Sequence, residues 1–490
     1  DELVFALCGP IGSPLHDVAD AFKRQMEDKY RYKTVIIKLS DLIRKHGGSI
    51  NEDKEFNRIQ DLISKGNELR LKYGNSILSE LAIRSIAKLR ETEALEKTND
   101  ESDESRYSPK RVCHIIDSVK NKEELEILKS VYGDMLYSIG VYSTVSSRVT
   151  KLHDKLGDLV DVHKLIDRDS GEEVEYGQRV DETFPLADYF INADGDSSSH
   201  LASKITRFLN IIFQTEIVTP SMAASSALNS ACMSRQVGAC ITEESGDVIS
   251  VGWNDVPKFG GGLYTFSQES GKIDCRCHDY KEKRCFNDKE KDEIKTTLVR
   301  NIINTLVEKK IIKNEDTDKA QDVIDSKIDQ SRLNNLIEFS RSIHAEMHAL
   351  ILSARTEMQP HKLYCTTYPC HSCARHIIAS GIREVYFIEP YPKSLALKLH
   401  EDAITENTAD VSKVRILPFD GVAPNRFLEL FKMIPETRKS TDGKKIERSS
   451  KESLPKKETT LESIPVLEGI VIKALIEKNI PPKVIGDNNA

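Results

Sequence analysis

Three residues with metal-binding side chains and one acidic residue form the most informative pattern in this sequence. His344 and Glu346 stand two positions apart, and Cys370 and Cys373 follow as a Cys-x-x-Cys pair. One imidazole and two thiolates fill three positions of a tetrahedral Zn²⁺ site and leave the fourth for water. Bound Zn²⁺ lowers the pKa of that water towards about 7. Glu346 is not a ligand in this pattern, and it is placed to move protons as a general acid and base.

The predicted secondary structure places these residues at the ends of elements. Apolar residues recur at helical spacing after Glu346, which predicts an amphipathic helix that opens with His344. Residues 363–367 are predicted to form a short buried strand, and residues 374–380 a helix. Both cysteine thiols then lie at a helix N-terminus, where the helix dipole favours the thiolate.

A closed structural zinc site is the alternative interpretation of the same residues. His348, one helical turn after His344, or His371 would then supply a fourth protein ligand. Glu346 favours the catalytic interpretation, because a reaction at a metal-activated water needs a carboxylate beside that water.

A second group of soft ligands lies in a charged stretch of the chain. It comprises Cys275, Cys277, His278 and Cys285. Four such residues close together predict a structural Zn²⁺ that holds this stretch in place. The Cys-x-Cys-His spacing is tighter than that of common zinc fingers, which leaves room for one spectator. Free thiols on a charged loop are the alternative.

The composition limits the class of protein. The 490 residues are too many for a single hydrophobic core, which predicts at least two domains. A net charge of −8 argues against stable binding to nucleic acid, and no apolar run is as long as a membrane span. The ten cysteines are scattered or clustered like metal ligands, which favours a reducing compartment and hence the cytoplasm. Because the first residue is Asp1 and not Met, the native N-terminus is expected to lie upstream.

Strands alternate with helices in the first part of the chain, which predicts a parallel sheet covered on both faces. The predicted strands are 3–8, 35–39, 112–117, 135–141 and 188–192. The predicted helices are about 16–26, 67–90 and 201–213, with a loop at 91–110.

A glycine-rich turn follows the first strand and contains Gly9, Gly12 and Ser13. A strand, such a turn and a helix are the setting of a phosphate-binding loop. A working loop ends in Gly-Lys-Ser/Thr, whereas the next lysine here is Lys23, inside the helix. Backbone N–H groups, assisted by Ser13, can still bind a phosphate, but phosphoryl transfer is not expected. The alternative is a scaffold kept for packing and oligomer contacts.

The second part of the chain begins near Pro220. Its predicted elements are a helix at 222–233 and a β-hairpin of strands 237–241 and 248–252 around Ser245-Gly246. A long, charged insertion occupies about 258–340. After Met433 the residues Lys, Glu, Ser, Thr and Pro dominate, which predicts disorder with one short helix at 466–477.

Several motifs of the second part resemble deoxycytidylate deaminases. They are Gln236-Val237-Gly238-Ala239-Cys240, Gly252-Trp253-Asn254, His344-Ala345-Glu346, Tyr368-Pro369-Cys370-His371-Ser372-Cys373 and Gly421-Val422-Ala423-Pro424. The first part resembles deoxynucleoside monophosphate kinases through Asp117-Ser118-Val119-Lys120-Asn121 and through Arg148 in the lid region. A degenerate kinase-like domain fused to a deoxycytidylate-type deaminase is similar to the bacterial antiphage dCTP deaminases, over roughly residues 1–433.

This resemblance implies an α/β fold class and three regions. Residues 1–215 are expected to form a P-loop kinase-like domain, with a parallel sheet and helices on both faces. Residues 216–433 are expected to form a cytidine-deaminase-like, three-layer α/β/α domain that carries the insertion. Residues 434–490 are expected to be a polar, disordered tail.

The resemblance also implies roles around the metal. Asn254 is expected to hydrogen-bond the sugar or a water, Ala345 to leave its backbone open to the base edge, and Tyr368 to stack on the ring or sugar. Arg235 is a candidate for the substrate phosphate, because a planar guanidinium suits phosphate oxygens. The alternatives are a turn-forming Asn254, a solvated Arg235 and a Tyr368 that only packs.

The implied function is zinc-dependent hydrolytic deamination of dCTP, dCMP or both, which would deplete the deoxycytidine nucleotide pool in antiphage defence. The resemblance further implies a nucleotide at the kinase-like domain, a homo-oligomer and control by an inhibitory partner or by the insertion. Alternatives are an editing deaminase acting on single-stranded DNA or RNA, a housekeeping dCMP deaminase with a nucleotide-sensing domain, and a non-enzymatic regulator.

Overall fold

The structure is a computed structural model. It describes residues 2–97, 111–169, 179–194, 198–213, 230, 232, 235–258, 262–264, 278–279, 284–329, 331, 340–353, 361–391, 394–431, 449–451, 453, 455 and 463–480. The chain divides into two compact units, residues 1–220 with 418–490 and residues 221–417. The predicted span 216–433 ends later than the second unit, and the functions assigned to the spans stay predictions.

The strands are β1 (Glu2–Cys8), β2 (Lys33–Lys38), β3 (Val112–Val119), β4 (Leu136–Tyr142), β5 (Tyr189–Asn192), β6 (Gly238–Thr242), β7 (Val248–Trp253), β8 (His278–Asp279), β9 (Arg284–Cys285), β10 (Lys362–Thr367), β11 (Glu384–Glu389), β12 (Ile404–Thr405), β13 (Val414–Pro418) and β14 (Gly421–Val422). The helices are α1 (Leu15–Tyr30), α2 (Leu39–Gly47), α3 (Glu55–Tyr73), α4 (Ile77–Lys97), α5 (Lys122–Tyr132), α6 (Val145–Leu156), α7 (Leu159–Asp169), α8 (Val180–Thr183), α9 (Ser198–Ile212), α10 (Phe286–Glu308), α11 (Thr317–Asp329), α12 (Ala345–Ser353), α13 (His371–Ala379), α14 (Ala396–Leu399), α15 (Phe427–Phe431) and α16 (Ile464–Glu477).

The first unit is built on a sheet of order β14-β5-β4-β1-β3-β2. Strands β5, β4, β1, β3 and β2 are parallel, whereas β14 pairs with β5 in antiparallel orientation. Every residue of β1 from Leu3 to Cys8 is buried, as expected of a parallel strand covered on both faces. Phe5 packs against Phe22 of α1 and Phe208 of α9 at centroid distances of 5.2 and 5.8 Å. The predicted α/β class is confirmed.

Two helices stand where one was predicted at 67–90. Helix α3 ends at Tyr73, before Gly74, whose φ of 104° favours glycine. Helix α4 begins at Ile77. Helix α4 then continues to Lys97, so the predicted loop at 91–110 is wrong for residues 91–97. Six of these seven residues are Glu, Ala, Leu or Lys, which are strong helix formers and explain the longer helix. Residues 98–110 lie outside the described residues.

The tail predicted to be disordered contains a packed helix. The short helix predicted at 466–477 is confirmed as α16, which buries Ile464, Val471 and Leu475. It packs on α4 and α5 of the first unit. The buried Glu468 forms an ion pair with Arg90 and accepts a hydrogen bond from the Tyr132 hydroxyl at 3.0 Å. Apolar burial and this polar pairing explain why residues 464–477 are ordered.

The second unit contains a sheet of order β12-β13-β11-β10-β6-β7. The predicted hairpin is confirmed as β6 and β7, with Gly246 at a φ of 95° in the turn. Strands β10 and β11 are parallel, and β10 is antiparallel to β6. Helix α12 crosses β7 very closely, because a Cβ built on Gly252 would lie 2.3 Å from the Ala345 carbonyl oxygen. The helix predicted at 222–233 falls largely outside the described residues.

Candidate metal centre and its cavity

Two helix N-termini bring the predicted metal ligands together. His344 directly precedes α12, and Glu346 lies in the first turn of that helix. Strand β10 leads into Cys370, which is the N-cap of α13 and accepts a hydrogen bond from the Cys373 backbone N–H at 3.4 Å. The predicted placement of both thiols at a helix N-terminus is therefore confirmed.

The three candidate ligand side chains converge on one point. His344 Nδ1 lies 3.2 Å from Cys373 Sγ and 3.4 Å from Cys370 Sγ. All three ligand atoms lie within 4.8 Å of one another, and within the described ranges this is the only such group of His, Cys, Asp or Glu residues. Separations of this size fit a tetrahedral Zn²⁺ with bonds of about 2.0–2.3 Å. The donor set, one nitrogen and two sulfurs, is typical of zinc.

The protonation state of Cys370 suits metal binding. Its hydrogen bond with Cys373, together with that from His344, lowers the pKa of the Cys370 thiol to about 4. The hydrogen bond with Cys370 raises the pKa of His344 to about 9. Cys370 is therefore a thiolate at neutral pH, which is the form that binds a metal.

Neither His348 nor His371 belongs to this group of ligand atoms. His348 Nδ1 accepts a hydrogen bond from the Trp253 backbone N–H at 3.3 Å, and its ring packs edge-on against the Trp253 ring at 4.9 Å. Burial lowers the pKa of His348, which suits a neutral imidazole acting as an acceptor. A set of three protein ligands leaves one coordination position open, as in catalytic zinc sites.

Glu346 is buried beside the ligands. Its side chain is linked by a hydrogen bond to Cys373, and the residue is only 4% exposed. Burial raises the pKa of the Glu346 carboxyl above its ordinary value. A carboxyl group in this position can hold a proton or release it to a reacting molecule.

A cavity of about 320 Å³ adjoins the cluster, a size that suits a small ligand. It is lined by Cys232, Arg235, Val237, Asn254, Cys285, Asn287, Ser340, Ser342, His344, Ala345, Glu346, Thr367, Tyr368, Cys370 and Tyr391. All four residues that the sequence suggested for substrate contact are in this set.

The polar groups of Asn254 bind the protein backbone. Its Oδ1 accepts from the Val237 N–H at 2.7 Å, and its Nδ2 donates to the Arg235 carbonyl at 2.9 Å. Asn254 therefore fixes the segment that carries Arg235 at the cavity wall. The guanidinium of Arg235 faces Glu389, with 3.2 Å between Nη2 and Oε1.

The other two suggested residues differ in their surroundings. Ala345 is fully buried at the start of α12. The Tyr368 ring packs edge-on against Phe387 at a centroid distance of 4.9 Å while also lining the cavity. The contact with Phe387 agrees with a packing role, and the stacking role stays a prediction.

Several lining residues were not suggested by the sequence. Thr367 ends β10 shortly before Cys370, and this position in the sequence could have identified it as a cavity residue. Cys285 ends β9 and Asn287 lies in the first turn of α10, both inside the insertion, and Tyr391 follows β11. No sequence signal connects the insertion to the cavity, because this proximity arises only from the tertiary fold.

The second predicted zinc site stays a prediction. Cys275 and Cys277 lie outside the described residues, and Cys285 lines the cavity. His278 belongs to the two-stranded ribbon of β8 and β9, where its backbone pairs with Cys285.

The predicted phosphate loop lies between β1 and α1 of the first unit. Gly12 has a φ of 84°, and a Cβ at this position would be 2.9 Å from Arg148 Cβ. The Ser13 Oγ is buried without a hydrogen-bond partner. The helix N-cap, Pro14, provides no side-chain cap.

The basic residues of the kinase-like motifs contact this loop through its carbonyl groups. Lys120 Nζ donates to the Gly9 carbonyl at 2.7 Å, and Arg148 donates to the Ile11 carbonyl at 3.3 Å. His16 Nδ1 forms a hydrogen bond with the buried Asp117, which raises the pKa of His16. The sequence motifs thus meet in space, and phosphate binding by the loop stays a prediction.

The fold and the site together define a class, an α/β domain with a three-ligand zinc centre, an adjacent buried acid and a small cavity. Residues 215–389 match the cytidine and deoxycytidylate deaminase zinc-binding region. The second unit therefore contains a deoxycytidylate deaminase-type zinc-binding domain, and its cofactor is Zn²⁺.

Similar proteins match over short stretches. A probable deoxycytidylate deaminase of Caenorhabditis elegans is 40% identical over 47 residues, which are 10% of this chain and 24% of that protein. The deoxycytidylate deaminase of enterobacteria phage T2 is 37% identical over 54 residues, 11% of this chain and 29% of that protein. The chain thus spans about a quarter of the length of these curated relatives.

Among solved structures, the dCMP deaminase of cyanophage S-TIM5, in complex with dCMP and dUMP, is similar over 40% of this chain and 90% of that chain. The sequence identity is 16% and the TM-score 0.22. In the part of the chain that the structure describes, every helix is too short or too polar to span a membrane.

Proposed function

We propose that the second unit catalyses hydrolytic deamination of deoxycytidine nucleotides to deoxyuridine nucleotides and ammonia. The observation that carries this proposal is the buried Glu346, linked to Cys373 at a three-ligand centre and lining a small cavity. The match to the deoxycytidylate deaminase zinc-binding region supports the choice of substrate class.

The chemistry assigns one clear task to Glu346. Zn²⁺ at the three ligands supplies Lewis acidity, which lowers the pKa of water. The Glu346 carboxylate takes a proton from the attacking water and delivers it to N3 of the base, while the water oxygen bonds to C4. A second proton passes through Glu346 to the exocyclic amine, the C4–N4 bond breaks and ammonia leaves.

The cavity residues suggest an orientation for the nucleotide. The base amine must face Glu346, next to the backbone at Ala345. Arg235 lines the same cavity, and we assign the substrate phosphate to its guanidinium, which can bind phosphate oxygens. Asn254 supports this arrangement because it fixes the Arg235 backbone.

The proposal extends to the biological role suggested by the order of motifs. We propose that the activity depletes the deoxycytidine nucleotide pool during phage infection, with regulation by a nucleotide at the first unit, by oligomerisation or by an inhibitory partner. The buried Ser13 hydroxyl supports an anion at the first unit. Activity limited to dCMP, without any effect on infection, would favour the housekeeping alternative.

The test is deamination of dCTP, dCMP, CTP and a single-stranded DNA oligonucleotide by the zinc-loaded protein, followed by chromatography of the products. Uracil nucleotides from dCTP or dCMP are expected, and none from the oligonucleotide. The Glu346→Gln variant should lose at least about 10²- to 10⁴-fold in kcat, since the proton carrier is gone.

The zinc content of Glu346→Gln is the control, because this residue is not a ligand and the metal should be retained. Product from the oligonucleotide alone would favour the editing alternative. In infected cells, equal loss of dCTP with wild type and Glu346→Gln would contradict the proposed biological role.

A further inference from the structure

Glu389 fixes the electrostatic character of the cavity at the Arg235 side. Its Oε1 lies 3.2 Å from Arg235 Nη2, and its Oε2 accepts a hydrogen bond from Thr367 Oγ1 at 3.2 Å. Thr367 and Glu389 are register partners at the carboxyl ends of β10 and β11. Both carboxylate oxygens are thus held by the protein, and the negative charge is fixed beside Arg235.

Arg235 is the basic residue available to a substrate phosphate. Among the described residues that line the cavity, Arg235 and the metal ligand His344 are the ones with basic side chains. The Arg235 side chain is 46% exposed, and that of Glu389 24%. A guanidinium carries five N–H donors, so a contact at one terminal nitrogen leaves donors for a phosphate.

The Arg235–Glu389 pair has no net charge. This neutrality affects how many phosphate groups a bound nucleotide can carry at this side of the cavity. A monophosphate brings about two negative charges and can share the guanidinium with Glu389. A triphosphate brings about two more negative charges close to the Glu389 carboxylate, and the described cavity wall supplies no further cation to offset them.

We propose that Glu389 is a specificity-determining residue whose counter-charge on Arg235 makes the cavity favour deoxycytidine monophosphate over the triphosphate. This inference rests on the proposed function and refines its substrate class. Glu389 acts through Arg235 and takes no part in the proton transfers at Glu346.

The test compares Glu389→Gln with the wild type on deoxycytidine, dCMP and dCTP. The amide keeps the shape and the hydrogen-bonding capacity of the side chain but removes its charge. The ratio of kcat/KM for dCTP to that for dCMP is expected to rise roughly twofold to fivefold, which is the size expected of a partly exposed charge. The change should lie in KM, with kcat unchanged and deoxycytidine unaffected.

A matched control is Glu384→Gln. Glu384 lies on the same strand β11 and is ion-paired with Arg415 and Lys362, neither of which lines the cavity, whereas the partner of Glu389, Arg235, does. The Glu384→Gln variant should leave the dCTP-to-dCMP ratio of kcat/KM unchanged. Arg235→Gln should remove the advantage of dCMP over deoxycytidine, since no guanidinium remains for the phosphate.

Equilibrium binding of the products dUMP and dUTP to the zinc-loaded protein gives a readout that is independent of turnover. Glu389→Gln should tighten dUTP binding more than dUMP binding. The inference is overturned if the dCTP-to-dCMP ratio of kcat/KM stays constant or falls in Glu389→Gln. It is also overturned if this variant loses kcat equally on all three substrates. If the wild type binds the products but deaminates nothing, the proposed function fails while the role of Glu389 is still decided by the binding ratio. Absence of any nucleotide binding overturns both.

Discussion

The zinc centre and the Gly9–Ser13 loop are both predicted from residue types at a helix N-terminus, but the structure gives them different character. At the zinc centre, the donor atoms of His344, Cys370 and Cys373 lie within 4.8 Å of one another and can share one metal ion. At the loop, Lys120 and Arg148 bind the loop's own carbonyl groups. A sequence motif indicates a binding site when its functional groups point into one space and only a bound ligand can pair with them there.

The largest expected effect tests the convergence at the zinc centre. Replacement Cys373→Ser removes one of three ligands, so zinc content should fall from about one ion per chain to near zero after dialysis against a weak chelator. Metal content is measured by mass spectrometry. Cys365→Ala is the control, because Cys365 is a buried thiol on β10 outside the cluster. Full zinc retention in Cys373→Ser would mean that the cluster is not the metal site.

A glycine in each region sharpens the same comparison. A Cβ at Gly252 would lie 2.3 Å from the Ala345 oxygen and 2.5 Å from the Ala349 nitrogen, so α12 would have to move. We expect Gly252→Ala to destabilise the protein by more than about 2 kcal/mol and to weaken zinc binding. Gly12→Ala meets Arg148 at 2.9 Å with a φ of 84°, and about 1–3 kcal/mol is expected.

Urea unfolding and zinc titration of both variants measure these effects. Zinc affinity is the discriminating readout, since Gly12 lies in the first unit and its replacement should leave that affinity unchanged. Equal zinc affinity in Gly252→Ala and the wild type would show that the close approach of α12 to β7 does not support the metal centre.

The contrast also shows what the sequence could predict. The ligand set and most strands could be predicted, because they depend on residue type, short spacing and local periodicity. The placement of the two cysteines could be predicted from their three-residue spacing and from the helix that follows. The pairing of Arg235 with Glu389 could not be predicted, since the two residues are 154 positions apart and depend on the pairing of β6, which follows Arg235, with β10 and of β10 with β11.

Errors arose where tertiary contacts or a single residue override composition. The short helix predicted in the tail is confirmed as α16, but its packing on α4 and the ion pair of Glu468 with Arg90 were not predicted. The predicted helix at 67–90 missed the break at Gly74, which a glycine alone does not identify. The antiparallel β14, far along the chain from β5, had no local signal at all.

The smallest expected effect concerns His16 at the phosphate loop. Its hydrogen bond with Asp117 raises the pKa of His16, against burial and the repulsion from Lys38 and Lys155. Asp117 also accepts a hydrogen bond from Ser118 Oγ at 3.0 Å, so its carboxylate is held in place. Because the folded pKa exceeds the unfolded pKa, this pair stabilises the fold fully below the unfolded value, and the contribution disappears as pH rises through the folded pKa.

The measurement is the urea midpoint of the wild type and His16→Asn from about pH 5 to about pH 9, a range that extends on both sides of the ordinary histidine pKa of about 6.5. The stability difference should be largest at the acidic end, shrink with rising pH and stay below about 1 kcal/mol, because the imidazole is 60% exposed and the pair is screened. A difference that grows with pH would reverse the sign and show that a neutral His16 is the form the loop prefers. In that case the loop would lack the positive charge of a protonated His16, and a phosphate would have one fewer cationic group to bind.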